Sequence, residues 1–245
     1  MPPRMPATAA ERRRLLVPIE VFSDTLCPWC YVGKHSLEAA LSLFEARHPD
    51  VGFEVVWRSF CLNPLLKTRC DKPSLYDEWY GGKGSFQQHL GRVRAAGARY
   101  DLTFSVTGQT GPSHLSQVLL ANVLRRHGPL AQARVVEALF RGHFAEGRDI
   151  SDEDWLVALG RDAAGLPEDV VRAELRDAGR ARFVDDEAEA AVEEEGVEAV
   201  PCVLLLGRYK VGGYQEEHVF VKLLDRIREE NMPSQGEEPA VESQP

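Results

Sequence analysis

Two cysteines separated by two residues lie where a predicted strand passes into a predicted helix. Residues 17–23 (VPIEVFS) form a short apolar run typical of a buried strand, and the sequence CPWC follows at residues 27–30. Beyond it, apolar residues recur with the i, i+3, i+4, i+7 spacing of an amphipathic helix. These residues are Leu37, Ala40, Leu41 and Phe44. The pattern predicts a helix that packs on a sheet and carries both thiols in its first turn.

A second strand is predicted directly after this helix. Pro49 ends the helical pattern, and residues 53–57 (FEVVW) are rich in the aromatic and β-branched residues that favour strands. The order strand, helix, strand favours a parallel βαβ unit, and hence the α/β class, for the start of the chain.

The middle of the chain has a different pattern. Residues 73–179 show helical periodicity and few strand signals, and Gly128-Pro129 separates two of the apolar stripes. We therefore predict a large all-helical domain at 73–179, inserted into a discontinuous α/β domain that comprises residues 15–65 and 180–230. The polar segments 1–14 and 231–245 are predicted to be disordered.

The last third of the chain returns to the α/β pattern. Residues 183–195 predict a helix with an acidic face, and the apolar run CVLLL at 202–206 predicts a central buried strand. Gly207-Arg208 is typical of a two-residue hairpin turn, which leads into a partner strand at 209–211. An amphipathic helix over 219–227 completes the pattern.

Charge and hydropathy exclude two classes of partner. The 245 residues include 29 basic and 38 acidic side chains, for a net charge of −9, so a nucleic acid or an anionic membrane surface is not expected as the main partner. No apolar run approaches the ~18 residues of a membrane span. We expect a cytoplasmic protein. Organellar targeting by the Arg-rich residues 1–14 stays open, as does the oligomeric state.

The position of CPWC at the start of a helix predicts that its thiols are reactive. The free backbone N–H groups of the first helical turn stabilise a thiolate at Cys27, and a thiolate is the species that attacks disulfides. Cys30 lies close enough to resolve the resulting mixed disulfide, and Pro28 suits the first turn because no N–H is needed there. A zinc site would need a second ligand pair, but Cys61 and Cys70 are separated by eight residues, so we predict no metal. Those two cysteines form an auxiliary disulfide or stay reduced.

Pro201 precedes the predicted central strand, where a proline removes a ladder hydrogen bond. Two alternatives remain open: a trans proline at the strand entry, or a cis Val200-Pro201 peptide that presents an extended backbone edge to a substrate. Cys202 follows, and it either packs as a small buried side chain or faces the site as a third thiol.

Four segments together resemble a known group of proteins. SDTLCPWCYVGK (23–34), WRSFCLNP (57–64), GVEAVP (196–201) and YKVGGYQ (209–215) resemble the DsbA superfamily, and in particular its cytosolic FrnE-like branch. This branch is related to hydroxychromene-carboxylate isomerase and kappa-class glutathione transferase, and the resemblance extends over residues 16–228. It implies a thioredoxin fold with a large inserted all-helical domain.

The resemblance also implies roles for individual residues. Cys27 would be the nucleophile and Cys30 the resolving thiol, while substrate would be bound by Pro28, Trp29, Val200 and the cis-proline Pro201. Glycine usually stands where this chain has Ala199, an apolar residue where it has Cys202, and a histidine where it has Gln117. These departures bear on the inferred choice of substrate more than on the inferred redox role of the two cysteines.

The implied function is thiol–disulfide exchange with protein or small-molecule thiols and disulfides. No metal or organic cofactor is expected, and glutathione as a co-substrate stays open. The alternative is a glutathione-dependent transferase or isomerase on the same scaffold. Such relatives typically have serine where Cys27 stands, so the two retained cysteines favour the redox function.

Overall fold

The computed structural model describes residues 15–231, and the predicted disorder of 1–14 and 232–245 lies outside this range. In chain order the elements are β1 (Leu15–Ser23), α1 (Pro28–Arg47), β2 (Val51–Ser59), β3 (Cys70–Asp71), α2 (Lys72–Trp79), α3 (Ser85–Gly97), β4 (Gln109–Thr110), α4 (His114–Phe144), α5 (Glu153–Ala164), α6 (Glu168–Leu175), α7 (Ala178–Glu193), β5 (Cys202–Leu205), β6 (Tyr209–Gly212) and α8 (Glu217–Asn231). A short 3₁₀ turn, Ala98–Tyr100, follows α3.

A mixed four-stranded sheet forms the base of the fold. Its strand order is β2-β1-β5-β6, in which β1 and β2 run parallel and in register from Leu15 opposite Val51 to Ser23 opposite Ser59. Strand β5 pairs antiparallel with both β1 and β6, and all four of its residues are buried. The predicted parallel βαβ unit and the central buried strand are therefore confirmed.

The helices position the site at one end of this sheet. Helix α1 packs with α8, whereas α4 and α7 pack against β2. Helix α4 is interrupted at Gly128, whose φ of 75° is not helical, so the predicted break between two stripes is confirmed. Among residues 15–231, no helix is long and apolar enough to cross a membrane.

Three details of the predicted organisation need correction. The inserted region is not wholly helical, because β4 pairs with β3 in a short two-stranded sheet. Helix α7 begins at Ala178, so the predicted limit between 179 and 180 falls inside its first turn. Asn231, which was assigned to the disordered tail, is the last residue of α8.

The hairpin between β5 and β6 also differs from the prediction. Leu205 pairs with Tyr209, so three residues form the loop instead of two. Leu206 and Gly207 both have positive φ, and Arg208 N donates to Leu205 O. This turn could not be predicted from the sequence, because leucine rarely adopts the left-handed conformation that Leu206 has here.

A fully buried lysine joins the start of α2 to the end of α4. Lys72 Nζ donates to the carbonyl oxygens of His143 (2.7 Å) and Arg148 (3.1 Å). Burial lowers the pKa of Lys72 to about 8, although the nearby Asp149 acts in the opposite direction. A carbonyl in the last turn of a helix lacks an intrahelical partner, so the ammonium group caps α4.

Lys72→Met is expected to lower the free energy of unfolding by about 2–3 kcal/mol, because the buried carbonyl of His143 and the partly buried carbonyl of Arg148 would lose a charged donor. Equilibrium denaturation in urea measures this change. Lys83→Met is the matched control, since Lys83 is exposed. Equal stability of the two variants would contradict the capping role.

Candidate functional site

The two thiols of CPWC lie at the N-terminus of α1, as predicted. Cys27 is the N-cap residue, and its Sγ accepts a hydrogen bond from Cys30 N at 3.2 Å. A sulfur thus occupies the position where a serine or aspartate oxygen usually caps a helix. Cys27 is 5% exposed and Cys30 is fully buried, so only Cys27 presents any surface to a substrate.

The loop before β5 lies against this sulfur. The Val200–Pro201 peptide bond is cis, and Val200 O lies 3.6 Å from Cys27 Sγ across 173 residues of sequence. The Pro201 ring packs on Gly33 of α1, where an added Cβ would lie 3.0 Å from it. Any other residue at position 33 would have to displace the Pro201 ring, so glycine is required for this close approach.

The two cysteines differ in their electrostatic environment. Burial, together with the hydrogen bond and charge of Cys27, raises the pKa of Cys30 well above its ordinary value. Cys30 therefore carries its proton at neutral pH, while its backbone N–H points at Cys27 Sγ.

A buried aspartate connects the site to the end of β2. Asp24 carboxylate oxygens accept from Leu26 N (2.9 Å) and Leu62 N (2.7 Å), and the Ser113 side chain also bonds to this carboxylate. Burial is the largest influence on its pKa and raises it to about 6 against these hydrogen bonds. Asp24 is not among the predicted site residues, although an aspartate two residues before Leu26 is typical of an Asx turn.

Tyr76 of α2 fixes the carbonyl that precedes Cys27. Its hydroxyl donates to Leu26 O at 2.6 Å and lies 3.1 Å from Nε2 of His143. All of Tyr76 is buried, which raises its pKa, while burial and the neighbouring Lys72 lower the pKa of His143. The turn before α1 is therefore held by a neutral, water-excluded contact from the helical region.

Helix α4 supports the strand ends beneath the site. The Gln117 amide donates to Ser23 O (2.9 Å) and Phe60 O (3.3 Å), while Thr25 and Ser116 share a hydrogen bond of 2.8 Å. The resemblance associated Gln117 with substrate choice, but its amide is occupied by these two backbone carbonyls.

Four rings form an aromatic rim on the other side of CPWC, consisting of Trp29, Tyr80, His89 and Tyr214. Trp29 stacks on Tyr214 with ring centroids 5.2 Å apart, and its indole Nε1 donates to His89 Nε2 at 2.8 Å. His89 in turn stacks on Tyr80 at 4.0 Å. The helical region therefore contacts Trp29 of CPWC directly.

The remaining cysteines lie in different surroundings. Cys61 is exposed and lines a cavity of about 510 Å³ beside His114 and Asp185, whereas Cys70 is half-buried in β3. All five cysteines are free thiols.

Cys202 is buried, and its sheet face differs from that of Pro201. Side chains alternate along an extended chain, so Cys202 shares a face with Lys210 and lies opposite the face on which Pro201 meets α1. Lys210 reaches Gly196 O after α7 at 3.4 Å. This geometry favours the packing role of Cys202, and its role as a third thiol stays a prediction.

Asp24 is expected to make stability fall as the pH rises. Because its pKa is about 6 in the folded protein and ordinarily 3.8, the folded state holds a proton between these limits that the unfolded state has released. The free energy of unfolding should therefore drop by about 2 kcal/mol between pH 4 and pH 7 relative to Asp24→Asn. Denaturation at several pH values measures the difference. Parallel curves for the two proteins would contradict it.

Three comparisons with known proteins place the chain. The model of the DsbA-like thioredoxin domain matches residues 18–225. A probable DsbA oxidoreductase from Streptomyces coelicolor is 31% identical, with a TM-score of 0.76 over 91% of this chain and 94% of that one. A comparison with curated protein sequences finds no match.

More distant structures share the fold. The 2-hydroxychromene-2-carboxylate isomerase is 15% identical, with a TM-score of 0.62 over 87% of this chain and 97% of that one. The cytosolic disulfide reductase DsbM from Pseudomonas aeruginosa, solved with GSH, is 16% identical, with a TM-score of 0.59 over 86% and 99%. The predicted α/β thioredoxin fold is confirmed, the FrnE-like placement stays a prediction, and the chain belongs to the DsbA-like thioredoxin family.

Proposed function

We propose that this protein is a thiol–disulfide oxidoreductase that exchanges disulfides between its CPWC pair and protein or small-molecule substrates. One observation carries the proposal: Cys27 Sγ caps α1, receives the Cys30 N–H and lies 3.6 Å from Val200 O. A helix-capping sulfur beside a backbone edge suits attack on a disulfide carried by an extended chain.

In the first step the Cys27 thiolate attacks one sulfur of a substrate disulfide R–S–S–R′. A bond forms between Cys27 and the R sulfur, the substrate S–S bond breaks, and R′ leaves as a thiolate. The Cys30 N–H and the other free N–H groups of the first turn of α1 stabilise the attacking charge.

In the second step Cys30 loses its proton and attacks Cys27 Sγ. The mixed disulfide breaks, R leaves as a thiolate, and a Cys27–Cys30 disulfide forms, so two electrons pass from the protein to the substrate. The raised pKa of Cys30 keeps this thiol protonated until the mixed disulfide forms. The same steps in reverse oxidise a substrate dithiol, and the net direction follows from the two reduction potentials.

Substrate contacts are proposed for the residues around Cys27. The Val200–Pro201 loop would pair with the substrate backbone, and Pro28 and Trp29 would contact its side chains. Glutathione is proposed as a thiol co-substrate that returns the CPWC disulfide to the dithiol. Two glutathione molecules supply the two electrons and leave as glutathione disulfide. The site holds its reactive sulfurs without metal or organic cofactor in this proposal.

A glutathione-dependent isomerase or transferase would use the same scaffold without a redox change. Such a reaction has no use for a second thiol placed behind the first, so the buried Cys30 favours exchange. We also propose the cytoplasm as the location, where one structural neighbour, DsbM, is described as a cytosolic disulfide reductase.

Cys27→Ser is expected to lower the rate of insulin disulfide reduction by roughly a thousandfold or more, because an alcohol does not ionise at neutral pH. Cys30→Ser should keep the first step and stop at a mixed disulfide with the substrate. Turbidity assays measure the first effect and intact-protein mass spectrometry the second.

The double variant Cys61→Ser/Cys70→Ser is the control for cysteine replacement. It should retain activity within about threefold, because Cys61 is exposed and Cys70 half-buried, and replacement of such side chains is usually nearly neutral. Loss of most activity would show that this pair relays electrons. Full activity of Cys27→Ser would remove the proposed function itself.

A further inference from the structure

We propose that His89 is a positioning residue for thiol–disulfide exchange, which fixes the Trp29 indole beside Cys27 by accepting its N–H. This inference rests on the proposed function above, and it assigns a role to a residue of the helical region far from CPWC in sequence. The contact spans 60 residues and joins α3 to the first turn of α1.

The hydrogen bond is specific in direction. An indole Nε1 only donates, so the Nε2 atom of His89 must carry a lone pair, and its proton must reside on Nδ1. The distance of 2.8 Å and the edge-on rings, at 89°, give this contact good geometry. A protonated imidazole has no acceptor and cannot hold the indole.

Trp29 and His89 each have a second aromatic neighbour. Trp29 stacks on Tyr214, which follows Gly213, and Gly213 N donates to Pro201 O at 2.8 Å. The aromatic rim therefore runs from the cis-proline loop across Trp29 to His89 and Tyr80. All four rings are half-buried, so each keeps a surface that a substrate can contact.

The rim borders the reactive sulfurs. The charges of Cys27 and Cys30, together with burial as the largest cause, raise the pKa of Tyr80 to about 12. Because Cys27 is only 5% exposed, the orientation of the adjacent indole controls how a disulfide reaches its sulfur. A mobile indole would obstruct the approach and weaken apolar contact with the substrate.

The surroundings of His89 keep it neutral. Burial and the neighbouring Arg92 lower the pKa of His89 below its ordinary value, so the acceptor is present at neutral pH. The charged and titratable groups next to His89 are Arg92 of α3 and Tyr80 at the end of α2. Cys27 and Cys30 act on Tyr80, and Tyr214, in the loop after β6, stacks on Trp29. Acidification should therefore release Trp29 in one protonation step.

The test compares three variants in the full-length protein. His89→Leu removes the acceptor, His89→Gln keeps a non-titrating acceptor near the Nε2 position, and His127→Leu makes the same change at an exposed histidine. The Trp29 fluorescence is obtained as the difference between each protein and its Trp29→Phe counterpart. The rate of Cys27 reaction with the aromatic disulfide dithiodipyridine is measured in the same proteins carrying Cys61→Ser and Cys70→Ser, because the exposed Cys61 thiol would also react.

At neutral pH, His89→Leu should slow the reaction by about three- to tenfold, as expected for one lost hydrogen bond, and shift the Trp29 emission. His89→Gln should restore the rate to within about twofold. The wild-type emission should change in one transition below pH 6.5, and His89→Gln should lack that transition.

Two outcomes overturn the inference. In the first, His89→Leu matches His127→Leu in both rate and Trp29 emission. In the second, His89→Gln and His89→Leu lose the rate equally, which would indicate a merely structural role. If the wild type instead shows the fluorescence transition but no exchange with any disulfide, the proposed function fails while the His89–Trp29 contact stands.

Discussion

The buried carboxylate of Asp24 is the constraint on which the arrangement of the site depends. An ionised carboxylate in a water-free environment is costly unless several donors surround it. Here the donors are the backbone N–H groups of Leu26 and Leu62, so one side chain ties the turn before α1 to the loop after β2. Its raised pKa shows that these bonds only partly offset the burial. The backbone of Asp24 also positions Cys27, since the Cys27 N–H donates to the Asp24 backbone carbonyl at 2.9 Å.

The helical region supports this turn from two sides. Behind it, Tyr76 holds the carbonyl of Leu26 and Gln117 holds the end of β1, both through buried hydrogen bonds. In front of it, His89 holds the indole of Trp29. Without the helical region, CPWC would lie at the open end of the sheet, and the Leu26 carbonyl, the end of β1 and the Trp29 indole would face water. The insertion removes that water and replaces its hydrogen bonds with fixed ones, which orients the two sulfurs before a substrate arrives.

The sequence predicted what depends on local pattern and left out what depends on distant contacts. The strand, helix and strand around CPWC follow from periodicity and from a proline at each helix boundary, and these elements are confirmed. Asp24, Tyr76 and His89 escaped prediction because Leu62, Leu26 and Trp29, with which they bond, lie 38 to 60 residues away, and a polar residue gives no sign of so distant a partner. The three-residue hairpin loop escaped because Leu206 adopts a conformation that its residue type disfavours.

The unequal burial of the two thiols sets the order of events in the proposed exchange. Cys30 has no exposed surface, so an incoming disulfide can meet only Cys27, and Cys30 can react only after a mixed disulfide has formed. The small exposed surface of Cys27 between the cis-proline loop and the aromatic rim then restricts which disulfides can react. A disulfide on an extended segment or a small molecule can align its S–S bond with Cys27 Sγ, as in-line attack requires. One held in a rigid, folded domain would have to open locally first, so the same geometry that protects the thiolate also selects accessible substrates.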